Sequence, residues 1–284
     1  MIIIRMRSGL GNQMFQYAFF KQMQQWHGNE KVKLDISTYH WNVHNGLELD
    51  RVFGIDLEAD SVPASVSRSF ADVGYRFQDR LLRRLRGIKH RSYRFWENVS
   101  FEEYRTMDDV YLEGFWNNEQ FFAGVKDEIR ATYCYRGALS AADQQLIQEM
   151  KDKQSVAIHV RRGDYKKYPK KFPMCTPDYY KQAIERVQRE AENSSLSCFV
   201  FSDDLDWCKQ ELTFLPDVTF VDNPNPLHAS KDMYLMSCCK HNVIANSTFS
   251  WWGAWLNLNP DKRVIYPESA LLTFEFMPEG WQKL

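Results

Sequence analysis

Residues 155–165 read SVAIHVRRGDY, and their reading decides the fold. Val156, Ala157, Ile158 and Val160 give the apolar run expected of a strand covered on both faces in a parallel sheet. The run then breaks into Arg161 and Arg162, side chains that are seldom fully buried. In open α/β sheets, ligands sit just beyond the carboxyl ends of the strands. A basic pair at that position predicts an anion site. A solvated basic turn is the alternative, and the rest of the chain has to separate the two.

Downstream, apolar strands and amphipathic helices alternate. TPDYYKQAIERVQREAE (176–192) is a helix with Thr176 as cap and Pro177 in its first turn. Strand LSCFVF (196–201) leads to Ser202-Asp203-Asp204 and a short helix over 205–212. Strand VTFVD (218–222), helix SKDMYLMSCC (230–239), strand NVIAN (242–246), helix STFSWWGAWL (247–256) and strand RVIYP (263–267) complete the half. This rhythm predicts a doubly wound parallel sheet. The first half opens in the same way, with strand 2–6, a glycine turn, helix 11–27 and strand KVKLDI (31–36). The pattern fades between about 40 and 110 and resumes with strand VYLEGFW (110–116) and helices around 118–132 and 140–150. We expect a boundary near 137–154, giving an N-terminal domain over 1–145 and a C-terminal domain over 146–284.

The 284 residues are 44% hydrophobic and 15% aromatic, with a formal net charge of −1. That balance gives no electrostatic case for a nucleic-acid partner, so any anion site is local. The start, MIIIRMRSGLGNQ, is far short of a secretory signal or a membrane span. The six cysteines show neither zinc spacing nor a small-domain disulfide pattern. These features predict a cytoplasmic protein, and the three N-x-S/T matches at Asn98, Asn193 and Asn246 carry little weight.

Four polar clusters each follow an apolar strand: RSGLGNQ (7–13), HVRRGDY (159–165), SDD (202–204) and NSTFS (246–250). Singly, each is an ordinary turn. Together they describe a cleft that faces a ligand from two α/β halves. Gly9 and Gly11 form G-x-G, but Met14 occupies the third glycine position of a dinucleotide fingerprint, and no glycine run ends in G-K-[ST]. Small residues here let the backbone of Gly11 and Asn12 approach a ligand beside a helix start. In HVRRGDY an arginine fork suits phosphate oxygens, with Gly163 allowing the turn that aims it; His159 is either a ligand contact or a core histidine. In NSTFS the hydroxyls of Ser247, Thr248 and Ser250 flank free helix N–H groups, a phosphate site or simple capping by Asn246 or Ser247. Asp204 and Asp206 have D-x-D spacing, which would suit a divalent cation, yet capping or ribose contact by Asp203 and Asp204 is the preferred reading. Asp232 suits a guanine edge or an acidic first helical turn. Asp35 and Glu113 are general-base candidates by placement alone, and a structural role is preferred for both.

RSGLGNQMFQYAFF, HVRRGDY, SDD and NSTFSWWGAWL, in this order along the whole chain, resemble the α-1,2-fucosyltransferases of glycosyltransferase family 11 in their bacterial form. The resemblance implies an α/β fold of the GT-B type, two Rossmann-like domains facing a cleft, with acceptor bound by the first and GDP-sugar by the second. It implies inverting transfer of L-fucose from GDP-β-L-fucose to the 2-hydroxyl of a galactoside in a surface glycan such as an O-antigen, with no metal or other cofactor. By position it makes Arg161 and Asn12 catalytic, Arg161 at the donor pyrophosphate and Asn12 reaching the donor from the other domain. Gly11, His159, Arg162 and Asp164 would line the site with Asp203 and Asp204, and Asp232 would take the guanine. Asn246, Ser247, Thr248, Phe249 and Ser250 would form the phosphate-side loop. Transfer of another nucleotide-activated deoxyhexose, or non-catalytic nucleotide-sugar binding, are the competing readings.

Segment 76–94 carries Arg76, Arg80, Arg83, Arg84, Arg86, Lys89, Arg91 and Arg94, with Phe77, Leu81, Leu85 and Ile88 at helical spacing. It predicts a basic amphipathic helix. Such a helix either packs its stripe on the N-terminal domain, the preferred reading, or lies on the inner membrane surface beside a lipid-linked acceptor.

Overall fold

A computed structural model describes residues 1–37, 45–70, 81, 85, 91–94, 99–170, 172–191, 195–223, 229–268 and 277–284. The chain divides into two compact units, Met1–Cys134 and Tyr135–Leu284. The division falls earlier than the expected 145/146, which lies inside a helix, Ala141–Asp152. That helix belongs to the second unit, where Asp143 pairs with Lys231 at 3.0 Å and the Met150 carbonyl accepts from Ser155 Oγ at 2.5 Å.

In the first unit the elements run β1 (Ile2–Arg5), α1 (Leu10–His27), β2 (Val32–Asp35), α2 (Leu49–Phe53), α3 (Ala64–Phe70), β3 (Arg91–Arg94), α4 (Phe101–Thr106), β4 (Val110–Glu113), a 3₁₀ turn (Glu119–Val125) and α5 (Lys126–Thr132). The strands form a parallel sheet in the order β2-β1-β4-β3. Ile2, Ile3 and Ile4 are fully buried in it, as three consecutive apolar residues in a central parallel strand must be. Phe15, Phe19 and Phe20 of α1 are also buried, and Phe19 stacks on Trp116 with ring centroids 4.2 Å apart. Unusually for a core helix, α1 also buries Gln13, Gln16 and Gln22. Each is spent on loop backbone, as a buried amide has to be: Gln13 on Ser8, Gly46 and Glu48, Gln16 on Arg7 and Gly114, Gln22 on Gly124.

Strand β3 corrects the helix expected over 76–94, since Arg91–Arg94 pairs in parallel with Val110–Glu113. Of the remaining stretch only Leu81 and Leu85 are described; both are helical and exposed, Leu85 at 74%. Phe77, Ile88 and the other basic residues of the segment lie outside the described residues. Strand β4 stops at Glu113 rather than 116, where the chain turns through a left-handed Trp116 with φ 47°. Among the described residues no helix is long and apolar enough to cross a membrane.

The second unit runs α6 (Ala141–Asp152), β5 (Gln154–Val160), a 3₁₀ turn (Asp164–Lys167), α7 (Pro177–Glu190), β6 (Leu196–Ser202), α8 (Leu205–Glu211), β7 (Val218–Phe220), α9 (Ala229–Cys238), β8 (His241–Val243), α10 (Thr248–Leu256), β9 (Val264–Tyr266) and β10 (Gln282–Lys283). Local chemistry explains the helix starts. Ser140 makes a capping box with Asp143, Thr176 caps α7 ahead of Pro177, and Ser247 caps α10. All six strands are parallel, in the order β10-β9-β8-β5-β6-β7. Val156, Ile158 and Val160 pack against Tyr180, Ile184 and Val187 of α7. Because β5 leads outward through β6 to β7 on one side and β8 begins the other, the winding reverses between β5 and β8. Such a switch point opens a crevice at the strand carboxyl ends.

Candidate functional site

Three of the four clusters meet at that end of the second sheet. Strands β5 and β6 pair along their whole length, up to Val160 beside Ser202, so the RRGD loop and the Asp203-Asp204 turn emerge side by side. Arg161 Nη1 forms an ion pair with Asp203 Oδ2 at 2.7 Å, and Nη2 donates to Asp164 Oδ1 at 2.7 Å. The Tyr165 ring lies 5.7 Å from its guanidinium carbon. Asp203 also accepts the Arg162 backbone N–H at 2.9 Å. Arg162 Nε donates to Asp204 Oδ2 at 3.0 Å, and its guanidinium lies 3.9 Å from the Trp207 ring centroid.

Asp204 Oδ2 also takes the Lys166 ammonium at 2.6 Å. Burial would raise its pKa, but the hydrogen bonds from Lys166 and Arg162 outweigh that and hold the carboxyl below its ordinary value. Asp204 stands at the N-cap of α8, and the two aspartates have a further role. Their carboxylates fix the two arginines, because the parallel pairing of β5 with β6 sets them opposite each other.

His159, 6% exposed, sits one residue before the end of β5. Burial pushes its pKa down to about 4, opposed by the Asp203 carboxylate and assisted by the Arg161 charge. Its ring lies 5.5 Å from that of Phe249, and its Nδ1 is buried with no hydrogen-bond partner among the described residues. After β8 the chain leaves the sheet at Val243 rather than at Asn246. Ser247 caps α10 through the Phe249 N–H at 3.3 Å, so Asn246 does not. Ser250 is fully buried, its hydroxyl within reach of the Ala245 and Ser247 carbonyls at 3.2 and 3.1 Å, and Thr248 is buried beside it. What α10 turns toward the strand ends is thus chiefly its N-terminal backbone, a place suited to anions.

Asp232, in the first turn of α9, is pushed up to about 6 by burial, with the Asn223 amide at 3.0 Å pulling the other way. A carboxyl so placed is ready to accept hydrogen bonds from a ligand's N–H groups.

In the first unit Gly9 precedes α1 and Gly11 is buried in its first turn. Ser8 is left-handed, φ 73°, and is pinned by Asn12 Nδ2 on its Oγ at 3.0 Å and Gln13 Nε2 on its carbonyl at 2.9 Å. The other atom of that amide, Asn12 Oδ1, is buried without a partner among the described residues. Asp35 is fully buried and accepts from the Tyr111 hydroxyl at 2.6 Å and the Ser37 N–H at 2.9 Å. Glu113 binds Arg5 at 3.0 Å and also Arg7. Both carboxylates serve structural ties, the reading preferred from the sequence.

Sequence reasoning assigned no role to Tyr165, Lys166 or Trp207. Tyr165 lies inside a motif already singled out, and Trp207 directly after the D-x-D. No local signal marks Lys166, whose partner is 38 residues away.

A profile of glycosyl transferase family 11 matches residues 1–278. The chain is 31% identical over 301 aligned residues to an α-1,2-colitosyltransferase of Escherichia coli, covering all of this chain and 98% of that protein. It is 43% identical over 116 residues to the O-antigen biosynthesis glycosyltransferase WbnK of Escherichia coli, 40% of this chain and 38% of the other. It is 28% identical over 168 residues to human galactoside α-(1,2)-fucosyltransferase 1, 55% of this chain and 46% of the other. The last two matches span less than half of those proteins. Among solved structures, the fucosyltransferase NodZ from Bradyrhizobium superposes with a TM-score of 0.53 at 16% identity, covering 89% of this chain and 91% of that one. The likeness identifies the α/β architecture as the GT-B type.

Proposed function

Because the chain belongs to glycosyltransferase family 11, we propose that it transfers L-fucose from GDP-β-L-fucose to the 2-hydroxyl of a galactose-terminated surface glycan. Membership makes it a glycosyltransferase of the α-1,2-fucosyltransferase type. The observation that carries the proposal is Arg161, held by Asp164 and Asp203 at the carboxyl end of β5. When the donor C1–O bond breaks, its electron pair stays on the β-phosphate as the acceptor oxygen attacks C1 and loses its proton. A fixed cation meeting that charge lowers the barrier, because it needs no reorganisation when the charge appears. Arginine is permanently charged and matches phosphate in a planar fork. We read the reaction as metal-independent on this basis, with Asp232 taking the purine edge and the α10 N-terminus the remaining phosphate.

A second donor reading is favoured by the full-length similarity to an α-1,2-colitosyltransferase. Colitose is the 3-deoxy counterpart of fucose, and GDP-colitose would present the same leaving group. The experiment is incubation with GDP-fucose or GDP-colitose and a β-galactoside, followed by linkage analysis of the product and comparison of kcat/KM for the two donors. A product linked 1→2 supports the proposal. GDP binding without turnover across a broad acceptor panel would instead make the protein a nucleotide-sugar-binding module.

A further inference from the structure

The winding of the second sheet reverses between β5 and β8, which pair through Ile158 and Val243. Three residues beyond that pair lie Arg161 on one chain segment and Asn246 on the other. Tyr165 ties the two together, its hydroxyl donating to the Asn246 carbonyl at 2.9 Å while its ring lies 5.7 Å from the Arg161 guanidinium carbon. Asn246 is only 3% exposed, and among the described residues neither its Oδ1 nor its Nδ2 has a hydrogen-bond partner. The same holds for Nδ1 of His159 on β5, whose ring contacts Phe249, three residues after Asn246.

Buried polar atoms are almost always paired, and leaving them unpaired weakens a fold. Three such atoms, on His159 and Asn246, lie at the switch point, and capping does not explain the Asn246 pair, since Ser247 performs it. The chemistry of the atoms restricts what they suit. A phosphate oxygen only accepts, so it would satisfy Nδ2 and oppose Oδ1. A hydroxyl both donates and accepts, and matches an amide flanked by a neutral imidazole. In a nucleotide sugar, the sugar ring is the hydroxyl-bearing part joined directly to the phosphate that Arg161 would bind.

Resting on the nucleotide-sugar reading above, we infer that the Asn246 amide, with the His159 imidazole, reads a hydroxyl of the transferred sugar and so sets donor-sugar specificity. Sites built to hydrogen-bond a substrate hydroxyl discriminate strongly, because a ligand lacking it leaves them unpaired.

The test uses the full chain with Asn246→Leu, close in volume, and Asn246→Ala, which cannot clash. Each is titrated calorimetrically with GDP, GDP-fucose and GDP-colitose, and the melting temperature of the ligand-free protein is recorded. In both variants GDP should bind within about twofold of wild type, while the GDP-sugar that wild type prefers weakens at least about tenfold, the order of one lost hydrogen bond. The ligand-free melting temperature of Asn246→Leu should hold or rise, since removing an unpaired buried amide favours the fold. Equal weakening of GDP and GDP-sugar would assign Asn246 to phosphate and overturn the inference. So would unchanged binding of all three, or a fall in melting temperature without selective loss of the sugar nucleotide. A wild-type protein that binds neither GDP nor a GDP-sugar overturns the nucleotide-sugar reading itself, and this inference with it.

Discussion

Arg161 Nη1 pairs with Asp203 Oδ2 across 2.7 Å, and the other oxygen of the same carboxylate accepts the Arg162 backbone N–H at 2.9 Å. One side chain from the end of β6 thereby holds the guanidinium of one arginine and the backbone of the next. An anchored cation is worth more in catalysis than a mobile one, because its orientation is settled before the charge appears.

Removing Arg161 should therefore lower turnover more than donor affinity. Loss of one preorganised contact to developing negative charge costs about 10²–10³ in rate, and Arg161→Ala is expected in or beyond that range. Arg161→Lys should recover little, since a flexible ammonium cannot reproduce the fork. Arg162→Ala should be milder in kcat, because its guanidinium is committed to Asp204 and to the Trp207 face. Steady-state kinetics on the three variants, with circular dichroism to confirm folding, checks this. A near-normal kcat for Arg161→Ala would reduce the loop to a basic turn.

Gly163 is required by a close approach. A Cβ built there would lie 2.7 Å from Asp203 Oδ2, so Gly163→Ala has to displace the carboxylate that anchors both arginines. We expect kcat to fall about tenfold, less than for deleting the charge outright, with the melting temperature shifted little. Asp203→Asn should fall similarly, because it weakens the same anchor without adding bulk. Unaltered kcat in both variants would show that the anchor is dispensable.

The alternation of strands and helices was legible because parallel strands buried on both faces read as apolar runs, as in β5 and β6. The site's position followed from the same pattern, since the three polar clusters of the second unit come at or just after strand ends. What each residue does there was not legible. Asp203 and Asp204 read locally as caps, and only the pairing of strands some 40 residues apart reveals them as arginine anchors. Asn246 and Ser247 were equal as caps until the early exit of β8 gave the role to Ser247. Over 91–94 the helical spacing of basic and apolar residues lost to tertiary pairing with β4, as propensity commonly does.

Metal removal separates the arginine mechanism from the D-x-D reading. Asp204 Oδ2 is already shared by the Lys166 ammonium at 2.6 Å and Arg162 at 3.0 Å. With fixed cations serving the leaving group, activity should survive excess EDTA within about twofold. Loss of activity that Mn²⁺ or Mg²⁺ restores would return Asp204 and Asp206 to consideration as ligands.

Stability against acid should depend on His241 in a way that a single substitution exposes. Burial pushes both His159 and His241 from 6.5 down to about 4. The fold prefers each imidazole neutral, so its contribution is complete above pH 6.5 and is lost as pH falls toward 4. Each histidine alone gives a slope of about 1.4 kcal/mol per pH unit in that window. Asp232 works in the opposite sense. Burial raises it from 3.8 to about 6, so its contribution is present below 3.8 and is lost as pH rises toward 6, cancelling one histidine between pH 4 and 6. Carboxylates held low by their partners, such as Asp143 and Asp204, add to the loss only below about pH 4, where the unfolded groups begin to protonate. Wild type should therefore lose about 1.4 kcal/mol per pH unit from pH 6 down to 4, the net effect of one histidine. His241 stands at the start of β8, where its Nδ1 accepts the Arg263 N–H at 3.0 Å. His241→Asn keeps an acceptor for that N–H and removes the titration, which leaves His159 and Asp232 nearly balanced. Urea unfolding across pH 4–7 should then show a sloping stability for wild type and a nearly flat one for His241→Asn between pH 4 and 6. Parallel slopes for the two proteins would place the acid sensitivity elsewhere.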